Sequence, residues 1–262
     1  MVEFDEFGPE KIFEVYNPKT GMHGFTVIDS TARGPGKGGI RMTPTVSIDE
    51  VARLARAMTW KNAIAGLPFG GAKSGIIFDP SKDNAKKDAI ITAFAKAIKP
   101  ICPSKYIAGP DINTTEKDMA TFAKANGSMK SATGKPSNLC VKPGEKCGIP
   151  HEYGSTGFGV YQATLVAAEH MKINIENSTV AIEGFGNVGT FTAQYITEKG
   201  AKLVAVSDSR GCIYNENGLD YKKLVEVKEK TGTVTNYKPG KVLQSKDIHG
   251  LDVDILIPGA LP

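Results

Sequence analysis

Apolar positions in this chain switch repeatedly between helical and strand spacing. Over 47–64, Val51, Leu54, Ala55 and Met58 recur at i, i+3, i+4 and i+7, the mark of a half-buried helix. The preceding Ser47-Ile48-Asp49-Glu50 has the S-x-x-E spacing of a capping box. Ile90, Ile91, Phe94 and Ile98 predict a second helix over 86–99, closed by Pro100. Further helices are predicted over 115–125, over 157–171 with Val160, Ala163, Ala167 and Met171 as its buried side, from the end of 184–189 to about Lys199, and over the charged stretch 220–230. Short apolar runs read as strands at 23–29, 76–78, 106–111, 178–183, 201–207 and 253–258. Gly8, Pro9, Asn17 and Pro18 suggest a short helix and then a turn over 1–20.

Strands alternating with helices predict an α/β fold. Residues 127–152 are rich in Gly, Pro, Ser and Lys and lack hydrophobic period. They read as a loop approaching a domain boundary, which divides the chain into 1–152 and 153–262. The last strand, Val253–Pro258, lies close to the end of the sequence. A dinucleotide-binding sheet usually has strands beyond that point, so the second domain is expected to be incomplete and the chain truncated.

Composition narrows the function class. Hydrophobic residues make up 40% and charged residues 23%, as in ordinary globular proteins. The net charge of +4 is scattered, with no polybasic run to argue for nucleic acid. No apolar run approaches the ~20 residues that span a bilayer. The acidic start, Met1 to Glu6, lacks a signal-peptide pattern, which makes the cytoplasm the default location. Cys140, Cys147 and His151 match no common zinc spacing, so no metal site is assigned and the cysteines are expected to be reduced thiols.

Three stretches carry candidate chemistry. Gly184-Phe185-Gly186-Asn187-Val188-Gly189 is a G-x-G-x-x-G set between a strand and a helix, with Asp208 ending the next strand. Gly184 would allow the tight turn, Gly186 the approach of a pyrophosphate, and Gly189 close packing of helix on strand. Asp208 would accept from an adenosine ribose. Ser209 and Arg210, which follow it, are what a 2′-phosphate wants, so NAD and NADP both stay open. The second stretch, Lys61 to Gly75, holds Lys61 and Lys73 with four glycine or proline positions between them. Lys73 reads either as a base on a strand-end loop or as a surface lysine. Lys61 either snorkels outward or points into a cleft. The third, Arg33 to Arg41, is a glycine-rich basic loop, either anion-binding or simply solvated. Asp111 after Gly109-Pro110 reads as a possible site residue or a turn residue.

In order, ARGPGKGGIR (32–41), MTWKNAIAGLPFGGAKSGIIFDP (58–80), AGPDINT (108–114), GSTGFGV (154–160), IEGFGNVG (182–189) and VAVSDSRGCIY (204–214) resemble the glutamate/leucine/phenylalanine/valine dehydrogenases, most closely the glutamate enzymes. The resemblance implies an N-terminal α/β substrate and assembly domain followed by a partial Rossmann domain. It implies reversible oxidative deamination of an amino acid with NAD or NADP, and a homo-oligomer, a hexamer in the family. It places the catalytic lysine at Lys73, the catalytic aspartate at Asp111 and the α-carboxylate lysine at Lys61. Lys37 would hold the side-chain carboxylate of glutamate, and Thr156 would meet the nicotinamide amide. Lys37 argues against the alternative of a branched-chain or aromatic substrate, whose side chain has no use for a buried cation. Two departures stand out. Ala72 and Ser74 occupy positions where the family often has Gly, and the chain stops before the family's C-terminal strands and helices. The other alternative is therefore an inactive nucleotide-binding or assembly-competent fragment.

Overall fold

The glycine-rich run around Lys37 is a strand in the middle of a sheet, not a loop. The computed structural model describes residues 2–150 and 153–260, without the side chain of residue 146, and divides into two units at Pro150/His151. In the first unit, β1 (Lys11–Asn17), β2 (Met22–Ser30), β3 (Gly36–Thr43), β4 (Gly70–Ile77) and β5 (Tyr106–Pro110) form a sheet of order β1-β2-β4-β3-β5. β3 runs parallel to both β4 and β5. A Cβ at Gly38 would fall 1.6 Å from the Ala72 carbonyl oxygen, so only glycine permits this approach. The helix expected within residues 1–20 is replaced by β1. Its Ile-Phe-Glu-Val-Tyr run has the bulky composition of a strand, and it pairs antiparallel with β2.

Three helices complete this unit: α1 (Ile48–Ile64), α2 (Lys87–Ala97) and α3 (Glu116–Asn126). Ser47 caps α1 by accepting from the Glu50 amide, as the sequence suggests. Ile90, Ile91 and Phe94 of α2 and Met119 and Phe122 of α3 join the main core with Met22, Ile40 and Ile76. Residues 127–150 are more ordered than expected. Ser128 caps a 3₁₀ turn at Met129–Ser131, and β6 (Cys140–Lys142) pairs with β7 (Glu145–Cys147). Cys140 and Cys147 face each other in that register and form a disulfide, which corrects the reading of free thiols.

The second unit contains α4 (Ser155–Met171), β8 (Thr179–Glu183), α5 (Asn187–Glu198), β9 (Lys202–Asp208), β10 (Gly211–Tyr214), α6 (Tyr221–Thr231), β11 (Lys241–Leu243) and β12 (Ile255–Pro258). Its sheet has the order β11-β10-β9-β8-β12, with β12, β8 and β9 mutually parallel. The core gathers Val180, Ile182, Ala193, Ile196, Leu203 and Val206. α4 meets the core through Val160, as expected, but beyond it turns a different side inward. Gly157 and Ala168 are buried and Tyr161 and Leu165 pack on the core, whereas Ala163, Ala167 and Met171 are exposed.

Candidate active site

Parallel pairing of β3 with β4 and β5 brings the charged residues of the first unit together. Lys37 stands opposite Gly71 on one side and Ile107 on the other. Lys73 lies within β4 and is 6% exposed, so it is neither on a loop nor on the surface. Asp111 follows β5 directly. Its backbone amide donates to Thr114 Oγ1, and Thr114 Oγ1 also donates to the Ile40 carbonyl, which ties this turn to β3. The Asp111 carboxylate is thereby aimed at Lys73, with Nζ to Oδ2 at 3.1 Å.

Arg41 completes the network. Its Nε donates to Asp111 Oδ2 at 2.9 Å and its Nη1 to Glu50 Oε1 at 2.6 Å. The sequence puts Arg41 in a glycine-rich basic run and Glu50 at a helix start, and nothing in their spacing signals that they pair. Burial pushes the Lys73 ammonium below its ordinary range, while Asp111 pulls the other way; the net direction is down. Burial raises the Asp111 carboxyl, but Lys73 and Arg41 outweigh it, and the net direction is again down.

Lys37 Nζ donates to the Ala108 carbonyl at 3.1 Å and makes no ion pair with a described residue. Burial, reinforced by the charges of Lys73 and Lys135, pushes it down to about 8. Lys61, in the last turn of α1, is exposed and likewise unpaired among the described residues, although its charge is felt at Lys73. The buried Lys135 has no counterpart in the motif reading; its Nζ donates to the Ala132 carbonyl. Nothing in its spacing marks it.

In the second unit, β8 leads through Gly184-Phe185-Gly186 into α5. Gly184 has φ +86°, and a Cβ at Gly189 would stand 1.9 Å from the Gly184 carbonyl oxygen. At Gly186 a Cβ would meet no described atom within 4 Å. α5 starts at Asn187 with no side-chain cap and no acidic residue in its first turn. A helix start of this kind suits a phosphate, so the chain fits a dinucleotide here. Phe185 is buried in the core, and Val188 lies in the first turn of α5. Thr156 is exposed in the first turn of α4.

Asp208 has an unexpected environment. Its Oδ1 accepts from the Arg210 amide and Thr233 Oγ1, and its Oδ2 from Lys228 Nζ at 2.6 Å and the Val234 amide at 2.8 Å. With a side chain only 6% exposed, the carboxylate is saturated from within the unit. Burial acts to raise it, but these donors prevail and hold it low. Ser209 and Arg210 form the exposed turn between β9 and β10.

The two parts of this architecture, a lysine–aspartate site on a glycine-rich sheet and a glycine-turn dinucleotide fold, match one family. The glutamate/leucine/phenylalanine/valine dehydrogenase models match residues 9–127, as the dimerisation domain, and 147–262, as the dehydrogenase domain. The chain belongs to that family. It is 40% identical over 240 residues to a glutamate dehydrogenase of Aeropyrum pernix, covering 88% of this chain and 56% of that protein. It is 41% identical over 240 residues to an NADP-specific glutamate dehydrogenase of Saccharolobus shibatae, covering 88% and 55%. The Leu-bound crystal structure of hetero-hexameric glutamate dehydrogenase from Thermus thermophilus superposes with a TM-score of 0.80 at 29% identity, covering 97% of this chain and 63% of that one. The chain thus spans little more than half the length of these curated relatives.

Proposed function

We propose that this chain carries the site of an NAD(P)-dependent dehydrogenase that deaminates L-glutamate to 2-oxoglutarate and ammonium, reversibly. The observation that carries the reading is the Lys73–Asp111 pair beside Lys37, a half-buried cation without a counter-ion among the described residues. Residues 1–152 act as the substrate and assembly domain and 153–262 as the dinucleotide domain.

Lys61 holds the α-carboxylate and Lys37 the distal carboxylate, which fixes the substrate Cα between two anchors. A nicotinamide dinucleotide held by the 184–189 turn would supply the acceptor for the hydride from Cα. Lys73, with its proton affinity reduced by burial, takes a proton from the water that attacks the resulting iminium carbon. Asp111 moves the proton to and from the departing amine, and Arg41 keeps its carboxylate ionised between uses. In the dinucleotide domain, the 184–189 turn holds the pyrophosphate and Thr156 meets the nicotinamide amide. Ser209 and Arg210 take a 2′-phosphate when the cofactor is NADP. The match to a dimerisation domain and the likeness to a hetero-hexameric glutamate dehydrogenase support assembly into an oligomer, and no helix among the described residues is long and apolar enough to cross a membrane.

The test is a spectrophotometric assay of the 262-residue chain with glutamate, leucine and phenylalanine and each cofactor, beside titrations of cofactor binding. Glutamate-dependent reduction of NAD(P) supports the reading, and a preference for leucine or phenylalanine overturns the substrate. Cofactor binding without any turnover replaces the proposed activity with a nucleotide-binding role.

A further inference from the structure

Lys135 is 4% exposed, yet its ammonium meets only the Ala132 carbonyl and forms no ion pair with a described residue. A buried charge without a counter-charge is costly. Its placement suggests what offsets that cost. Ala132 is bridged in parallel to Ala108 of β5, and the Thr133 amide donates to the Ala108 carbonyl at 2.9 Å. The Ala108 carbonyl is the acceptor of Lys37 Nζ. Half-buried Lys37 and buried Lys135 are therefore fastened to partners in a single bridge. Gly134, at φ +64°, lets the turn close against Pro110, and Gly148 packs on the Lys135 carbonyl from the other side. This segment cannot swing Lys135 away without breaking several backbone contacts.

We infer that Lys135 is a positioning residue for dicarboxylate ligands, acting through Lys37: its ammonium makes the pocket at Lys37 favour a second carboxylate. The inference rests on the dicarboxylate reading above and deepens it. The ammonium stays on its carbonyl and contributes through its field while protonated; burial lowers its own proton affinity. The groups facing Lys37 are Lys73 from β4, Lys135 from the 132–135 turn and the Cys102 thiol, which burial pushes up to about 12 and so keeps neutral. Asp111 is already committed to Lys73 and Arg41. A dianion entering here meets surplus positive charge that a monoanion of the same length satisfies only at one end.

The test compares 2-oxoglutarate with 2-oxovalerate, which differ in the distal carboxylate, by calorimetric titration of the 262-residue chain from pH 6.5 to 10. Lys135→Gln keeps a donor for the Ala132 carbonyl while removing the charge; Lys135→Met removes both. The Gln variant is expected to bind 2-oxoglutarate about tenfold more weakly. It should bind 2-oxovalerate within about twofold of the unmodified chain. The pH at which 2-oxoglutarate binding is half lost should move upward, because Lys37 then has one cation fewer beside it. Lys135→Arg should restore both. An unchanged 2-oxoglutarate affinity and pH midpoint in a folded Gln variant overturns the inference and leaves the dicarboxylate reading standing. An unmodified chain that binds 2-oxovalerate as tightly as 2-oxoglutarate defeats that reading itself. Loss of the fold in both neutral variants makes Lys135 a structural cation and also overturns the inference.

Discussion

Lys73 Nζ stands 3.1 Å from Asp111 Oδ2, and the same oxygen accepts from Arg41 Nε at 2.9 Å. One carboxylate thus answers two cations from two neighbouring strands. Asp111→Asn is expected to destabilise the fold by about 1–3 kcal/mol, read as a lower urea midpoint. It also removes the group that holds the proton on Lys73. The Lys73 side chain, followed by NMR titration, should therefore lose its proton at a lower pH in the variant. An unchanged titration would mean that the pair does not persist in solution.

Lys37 ties two pH effects to one group. Its folded pKa of about 8 lies below the ordinary 10.5, so the unfolded chain binds more protons between these values. Stability should then rise with pH across that window, and Lys37→Met should flatten the rise in Tm. Affinity for 2-oxoglutarate should run the other way and fall above about pH 8, because the free pocket must first regain its proton. Tm and calorimetric affinity moving in the same direction would remove Lys37 from this role.

The glycines of the 184–189 turn should separate by what each faces. Gly186→Ala places its methyl where no described atom lies within 4 Å, so Tm should hold while cofactor affinity falls by about tenfold or more. Gly189→Ala drives a methyl into the Gly184 carbonyl and should cost about 1–3 kcal/mol in stability. A fluorescence titration beside a thermal melt checks both. Undiminished cofactor binding in a folded Gly186→Ala chain would exclude this turn as the phosphate site.

Asp208 is held low by Lys228 and its neighbours, so its contribution to stability is present above the unfolded value of 3.8 and is lost as pH falls through the folded value. Asp208→Asn should cost about 1–3 kcal/mol at pH 7, with the difference closing in acid. Arg210→Ala should leave that stability alone. It should weaken NADP about tenfold and NAD by less than about twofold. Equal losses for the two cofactors would count against a 2′-phosphate contact.

What could be read ahead of the structure follows from the range of the forces involved. The α1 cap, the helices at 87–97 and 116–126 and the glycine turn before α5 depend on neighbours a few residues away, and spacing reveals them. The Arg41–Asp111 contact joins residues seventy positions apart and leaves no local trace. β3 was hidden for another reason: Gly36, Gly38 and Gly39 have poor strand propensity, and it is the flanking β4 and β5 that hold them extended. Beyond Val160 the inward side of α4 is not legible in the sequence, because apolar residues lie all around that helix and more than one stripe satisfies the same period. Lys135 looked like any lysine in a polar loop until the turn around it buried it.

At Gly38 and Gly189, backbone oxygens occupy the space where any side chain would begin. Tolerance to mutation along this chain is therefore sharply uneven. In a stretch that looks like filler, GKGG at 36–39, the three glycines admit almost no variation, while the Lys37 side chain reaches out of the strand to the Ala108 carbonyl. A lineage or an engineer seeking a new substrate would find the scaffold locked and the charge replaceable, so changes of preference would arrive as single side-chain exchanges and not as rebuilt loops.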